Sequence, residues 1–326
     1  MTDTFAFFIF TMVLILGFEA VNGWTDAPNA IATVVSTRVL RPMTAVGMAA
    51  VFNVLGALSG TAVATTIGKG IVDLEVVTLE TTAAAAIAVI LWSTFAWYFG
   101  LPTSESHGLV AAIAGAGVAV AGPDVLLWDG WQQVFKGVGI AVVGGVTGGF
   151  LLMTVLLRAL RGASPRLARQ LFGPLQVVSA AFMAWSHGTA DGQKAMGVMA
   201  MAMAIHYDRD FDVELWIILL CALTMGISSA FGGWRIIRTL GMRLTSLQPV
   251  HGFAAETAAA VTITATAQFG IPLSTTHTIG SAIMGVGATR RLSAVRWGIA
   301  YNIVMAWILT FPICFGIGWL VAWLIR

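Results

Sequence analysis

The sequence predicts an all-α, polytopic membrane protein built from two inverted-topology repeats, with broken helices and helical hairpins at its centre. Three observations carry this expectation. Of 326 residues, 58% are apolar and only 10% charged, with a mean hydropathy of +0.88; soluble domains carry roughly 25% charged residues. The stretch Phe99-Gly100-Leu101-Pro102-Thr103-Ser104-Glu105-Ser106-His107 returns as Phe269-Gly270-Ile271-Pro272-Leu273-Ser274-Thr275-Thr276-His277. Downstream, Ala112-Ile113, Gly115 and Gly117 return as Ala282-Ile283, Gly285 and Gly287, which makes nine identities over the nineteen positions 99–117 and 269–287. Finally, basic and acidic loops alternate along the chain as an odd number of crossings per half requires.

A crossing takes about 20 apolar residues. Apolar segments fall near 5–37, 43–67, 81–99, 104–121, 134–157, 172–205, 213–234, 251–269, 273–289 and 296–325. Met1-Thr2-Asp3-Thr4 carries no positive charge, so Phe5 onward is expected to be a mature span and not a cleaved signal. The segments 5–37 and 172–205 are too long for one straight crossing. Each holds a polar, glycine-bearing interruption, at 22–29 and at 187–194, and is expected to be a broken helix. Gly23, Asp26 and Ala30 align with Gly188, Asp191 and Ala195, and each aspartate precedes its Pro-Ser-His element by a similar length. The halves are therefore 1–158 and 170–326, joined by a basic linker at 159–169.

Orientation follows from the positive-inside rule. Arg38 and Arg41, the arginines from Arg158 to Arg169, Arg235, Arg238 and Arg243, and Arg290, Arg291 and Arg296 are assigned to the cytoplasm. The loops with Asp73, Glu75 and Glu80, with Asp124 and Asp129, and with Asp208, Asp210, Asp212 and Glu214 face out. Lys69, Lys136 and Arg209 then lie on the outer side, against the trend. Five segments per half satisfy the rest, and an odd number inserts the second half upside down. Cys221 and Cys314 lie in apolar runs and imply neither a disulfide nor a metal cluster. A net charge of +2 gives no reason to expect nucleic acid.

Each Pro-Ser-His element opens a small-residue helix inside hydrophobic sequence, with a proline before the first turn and a hydroxyl at the N-cap. Free N–H groups and hydroxyls there make an anion site, which nominates Thr103, Ser104, Ser106, Ser274, Thr275 and Thr276. Helix capping is the structural alternative for the same serines. Charged groups inside spans are costly and usually mark a site: Glu19, Asp26, Glu105, Asp191, Lys194 and Glu256. Asp26 and Asp191 are read as holding a coupling cation or a proton beside the substrate, with Asn29 assisting. Lys194, at the place equivalent to Asn29, touches the anion or pairs with Asp191 one turn earlier. Glu256, His107 and His277 complete the candidates for the coupling ion, with a protonated core glutamate and packed histidines as the alternatives.

At the aspartate motifs and the paired Pro-x-Ser-x-x-His elements the sequence resembles the inorganic phosphate transporter (PiT) family in its bacterial form. Asp26-Ala27-Pro28-Asn29-Ala30 and Ser186-His187-Gly188-Thr189-Ala190-Asp191-Gly192-Gln193-Lys194 carry the resemblance, and Thr25 and Ala190 depart from the Asn or His that often precedes the aspartate. The resemblance implies symport of orthophosphate with Na⁺ or H⁺ by alternating access across the cytoplasmic membrane, with Asp26 and Asp191 as Na⁺ ligands if sodium is coupled. Sulfate is the alternative substrate. No cofactor is implied, and the partners are the anion, the bilayer and, if it oligomerises, further copies of the chain. A passive channel, and a hydrolase using Ser104 or Ser106 with His107, are the remaining alternatives.

Overall fold

The computed structural model describes residues 5–73, 76–231 and 233–326, the side chain of Lys69 excepted. Met1–Thr4, Glu75 and the Lys69 side chain, invoked above, lie outside the described residues. Helices dominate, and among the described residues the only β-pairing is an isolated antiparallel bridge between Val72 and Leu126.

The first half runs α1 (Phe5–Thr25), α2 (Pro28–Ser36), α3 (Pro42–Ala57), α4 (Ala62–Lys69), α5 (Leu79–Tyr98), α6 (Glu105–Ala121) and α7 (Trp128–Ala159). The second runs α8 (Pro165–Tyr207), α9 (Leu215–Ser229), α10 (Trp234–Ile237, continued by a π-helical turn Arg238–Arg243), α11 (Pro249–Gln268), α12 (Thr275–Ala288) and α13 (Trp297–Ile325). The interruption between α1 and α2 is a tight turn at Asp26 and Ala27. Pro28 has no N–H to continue the ladder, but Asp26 N still bonds Asn22 O at 2.9 Å and Asn29 N bonds Asp26 O at 2.8 Å.

The expected break at 187–194 does not occur. Helix α8 is continuous over 43 residues, about 65 Å at helical rise. The stretch lacks proline, and each glycine costs a helix only about 1 kcal/mol. Gly188 serves packing instead: a Cβ there would stand 2.1 Å from the Asn53 carbonyl oxygen of α3. The sharp bends lie elsewhere, 74° between α3 and α4 and 65° between α9 and α10, the first inside a segment that reads as a single apolar run and the second at the close of another.

Packing is reciprocal between the halves. Helix α6 lies along α13 and α12 along α7; α3 lies along α8 and α9 along α1. Helices α7 and α13 expose long apolar faces, including Phe135, Leu151, Tyr301, Trp319 and Trp323. The pairs α5–α6 and α11–α12 form the expected helical hairpins. Each first arm stops by the same device. Gly100 and Gly270 take left-handed backbone at φ +69° and +65°. Their amides bond Trp97 O and Ala267 O, and the next amides reach back to Ala96 O and Thr266 O. This is a Schellman stop, which favours glycine because a Cβ is strained at that φ. The second arms are short. Seventeen and fourteen residues span about 25 and 21 Å, less than the roughly 30 Å of hydrocarbon.

Candidate functional site

The two hairpin tips meet in the interior. Ser106 Oγ donates to the Leu273 carbonyl at 3.1 Å, and the His107 and His277 rings lie 4.6 Å apart, centroid to centroid. Thr103, Ser104, Ser106, Ser274, Thr275 and Thr276 are all buried. Ser104 and Ser274 cap their helices, accepting from His107 N at 3.3 Å and His277 N at 3.1 Å. A capping hydroxyl fixes where the helix begins, and so where its free amides point.

Opposite the tips stand the two aspartates. Asp26 sits in the α1–α2 turn, where Thr276 Oγ1 donates to its Oδ1 at 2.9 Å and Asn29 Nδ2 donates to the same atom at 3.2 Å. Asn29 Nδ2 also donates to Thr276 Oγ1 at 2.7 Å. These partners of Asp26 are neutral. Asp191, in the middle of α8, has Lys194 Nζ at 2.8 Å and His187 Nε2 at 3.3 Å from its Oδ2. Thr275 Oγ1 donates to that oxygen at 3.1 Å. Consecutive threonines of one tip thus bind the two aspartates. Asp26, His187 and Asp191 each offer a ligand atom, all within 4.8 Å of one another. Asn29 Oδ1 and Asp191 Oδ1 are buried without a hydrogen-bond partner among the described residues.

Not every nominated residue joins this cluster. Glu256 lies on α11 among neutral donors: Thr33 of α2, and Ser179 and Gln176 of α8. His107 and His277 meet edge to face, His107 stacks on Phe311, and His277 lies tilted against Trp307. Their ring nitrogens find no hydrogen-bond partner among the described residues. No Ser–His pair of the kind nucleophilic catalysis needs is formed there.

Three features went unread in the sequence. His187 orients on Asn53, whose Oδ1 lies 3.0 Å from Nδ1, and Asn53 Nδ2 donates to Ser229 Oγ at 3.2 Å. Glu105, the first residue of α6, is held by Thr25 Oγ1 at 2.8 Å and by Ser93. Gln176 links Glu256 to Thr37. A lone Asn or Gln in an apolar run could have flagged Asn53 and Gln176; Glu105 was flagged by its charge, but its partners Thr25 and Ser93 carry no such signal.

A buried cluster of charged and hydroxyl side chains among apolar helices defines a multi-pass membrane protein that handles a polar solute. A phosphate transporter family model (PHO4) matches residues 22–318. A probable low-affinity inorganic phosphate transporter of Rhizobium meliloti is 41% identical over 95% of this chain and 94% of its own length. A protein so described from Bacillus subtilis is 37% identical, over 95% and 94%. A solved structure described as the sodium-dependent phosphate transporter superposes with a TM-score of 0.90, covering 98% of each chain at 22% identity; it supports the fold. The chain belongs to the phosphate transporter family, whose members are transporters and not enzymes.

Proposed function

We propose that this protein imports inorganic phosphate across the cytoplasmic membrane by symport with Na⁺ or H⁺, alternating access between two inverted halves, 1–158 and 170–326. One observation carries the reading: two hydroxyl-tipped helix starts converge on two aspartates in a closed interior. The helix amides and the hydroxyls of Thr103, Ser104 and Ser274 supply donors to an oxyanion, joined by Ser106 once its hydroxyl turns from the Leu273 carbonyl. Lys194 supplies a buried ammonium. Thr275 and Thr276 join the anion side to the carboxylates.

The chemistry of the donors suits a hard cation. Such ions take oxygen ligands; a carboxylate oxygen of Asp191 lies within 4.8 Å of one of Asp26, Asn29 bonds Asp26, and Asn29 and Asp191 each keep an oxygen without a hydrogen-bond partner among the described residues. Neutralising the carboxylates lowers the cost of bringing a divalent oxyanion into low dielectric. The reciprocal packing of the halves supports an inverted pair, and the meeting of the tips favours rocking of one half against the other. Uptake of labelled phosphate into liposomes under imposed Na⁺ or H⁺ gradients tests this. Accumulation above equilibrium with one gradient is expected. Uptake without coupling would make the protein a channel, and full competition by sulfate at equal concentration would change the substrate.

A further inference from the structure

Two grooves at one end of the molecule join into a basic vestibule. The larger, about 750 Å³, is lined among others by Arg38, Arg41 and Arg296. The smaller, about 430 Å³, is lined by Arg290, Arg291 and Arg296, and both share Thr245 and Ser246. No acidic residue lines either groove. None of the five arginines has a carboxylate partner among the described residues. Arg38 also holds left-handed backbone at φ +61°, which is strained for a residue with a Cβ. Strain kept in an exposed basic turn motivates a functional reading of that turn.

The vestibule stands at the far ends of two helices whose first turns form the buried site. Helix α2 runs from Pro28 to Ser36, and Arg38 lies just beyond it. Helix α12 runs from Thr275 to Ala288, and Arg290 follows it. Their lengths put the groove about 13 to 21 Å from the aspartates along the helix axes. Its loops are those that the positive-inside rule assigns to the cytoplasm.

We propose that this vestibule is a second oxyanion site, on the inner face, that takes a phosphate group. The guanidinium fork pairs with phosphate oxygens two at a time, and the Ser246 hydroxyl adds a donor. The group is either orthophosphate leaving the buried site or the phosphodiester of an anionic lipid. Only the first source rests on the transport reading above.

The test is equilibrium binding to the detergent-solubilised full chain, with Arg41→Gln/Arg296→Gln against wild type and Arg290→Gln/Arg291→Gln as a second variant. Labelled orthophosphate and short-chain phosphatidylglycerol are titrated separately. If orthophosphate is the ligand, both variants lose the weaker class of phosphate sites and keep the tighter one, which also reports that they are folded. If the lipid is the ligand, the variants bind phosphatidylglycerol at least tenfold more weakly. Variants that bind both probes as wild type does would overturn the proposal and leave the arginines as topology signals only. Wild-type protein with a weak class but no tight class would sink the transport reading and leave the vestibule standing.

Discussion

Asp26 and Asp191 occupy corresponding places in the two halves, yet their surroundings differ in charge. Asp191 lies between Lys194 and His187 on its own helix, so its charge is answered within α8. Asp26 is met by Thr276 and Asn29, which supply hydrogen bonds and no charge. A carboxylate in low dielectric needs a proton, a cation or an ion-pair partner. The Asp191 side brings its own partner; the proposed symport has the Asp26 side take its partner from solution. On the transport reading proposed above, Lys194 in place of Asn29 divides the labour of the pair: Asp26 is left for the coupling ion, and Asp191 is paired with an ammonium near the anion.

The largest expected effect breaks the pair at Asp26. Asp26→Asn keeps an oxygen for Thr276 but removes the charge that would hold a cation. Coupled uptake is expected to fall at least about 100-fold, or about 2.7 kcal/mol, while thermal unfolding in detergent stays close to wild type. Asp191→Asn strands Lys194 in the interior. Breaking a buried pair costs about 3–5 kcal/mol, so this variant is expected to unfold at clearly lower temperature as well as lose uptake. Equal stability of the two variants would remove the distinction drawn here.

Thr275→Val and Thr276→Val come next. Each removes a hydroxyl that donates to one aspartate, a hydrogen bond to a charged group worth about 1.5–3 kcal/mol. Uptake is expected to drop roughly 10- to 100-fold in each case. Only Thr276→Val should also raise the concentration of coupling ion needed for half-maximal rate. A shift of the same size in Thr275→Val would spread the coupling ion over both aspartates.

Much of this arrangement could be read from the chain because its key residues have local duties. Phe-Gly-x-Pro-x-Ser-x-x-His encodes a Schellman stop, a turn and a serine cap, all within nine residues, so writing it twice announces two hairpins. Asp26, Asp191 and Lys194 stand out as charges in apolar runs. The course of α8 was not legible, because glycine in a polar stretch serves close packing as readily as a break. At Gly188 only the position of Asn53, 135 residues earlier in the chain, decides between them. The bend after Ala57 was hidden by apolar residues on both sides, and the one after Ser229 falls where the apolar run gives way to Arg235, Arg238 and Arg243, which read as a loop. Glu105 and Glu256 could be named but not placed, since partners such as Thr25 and Thr33 belong to other helices.

The smallest expected effect compares the two stops. At Gly100 an added Cβ would sit 3.5 Å from its nearest neighbours, Arg235 of α10 and Thr239 of the π-helical turn. Gly100→Ala should therefore cost only the left-handed strain, about 1–2 kcal/mol. At Gly270 the same atom would come within 3.1 Å of Ala62 O and Thr66 Oγ1, closer than ordinary van der Waals contact. Gly270→Ala is expected to be the less stable of the two in thermal unfolding, because the Ala62 carbonyl belongs to helical backbone and yields little. If the order were reversed, the second tip would be resting less tightly on α4 than its neighbours indicate.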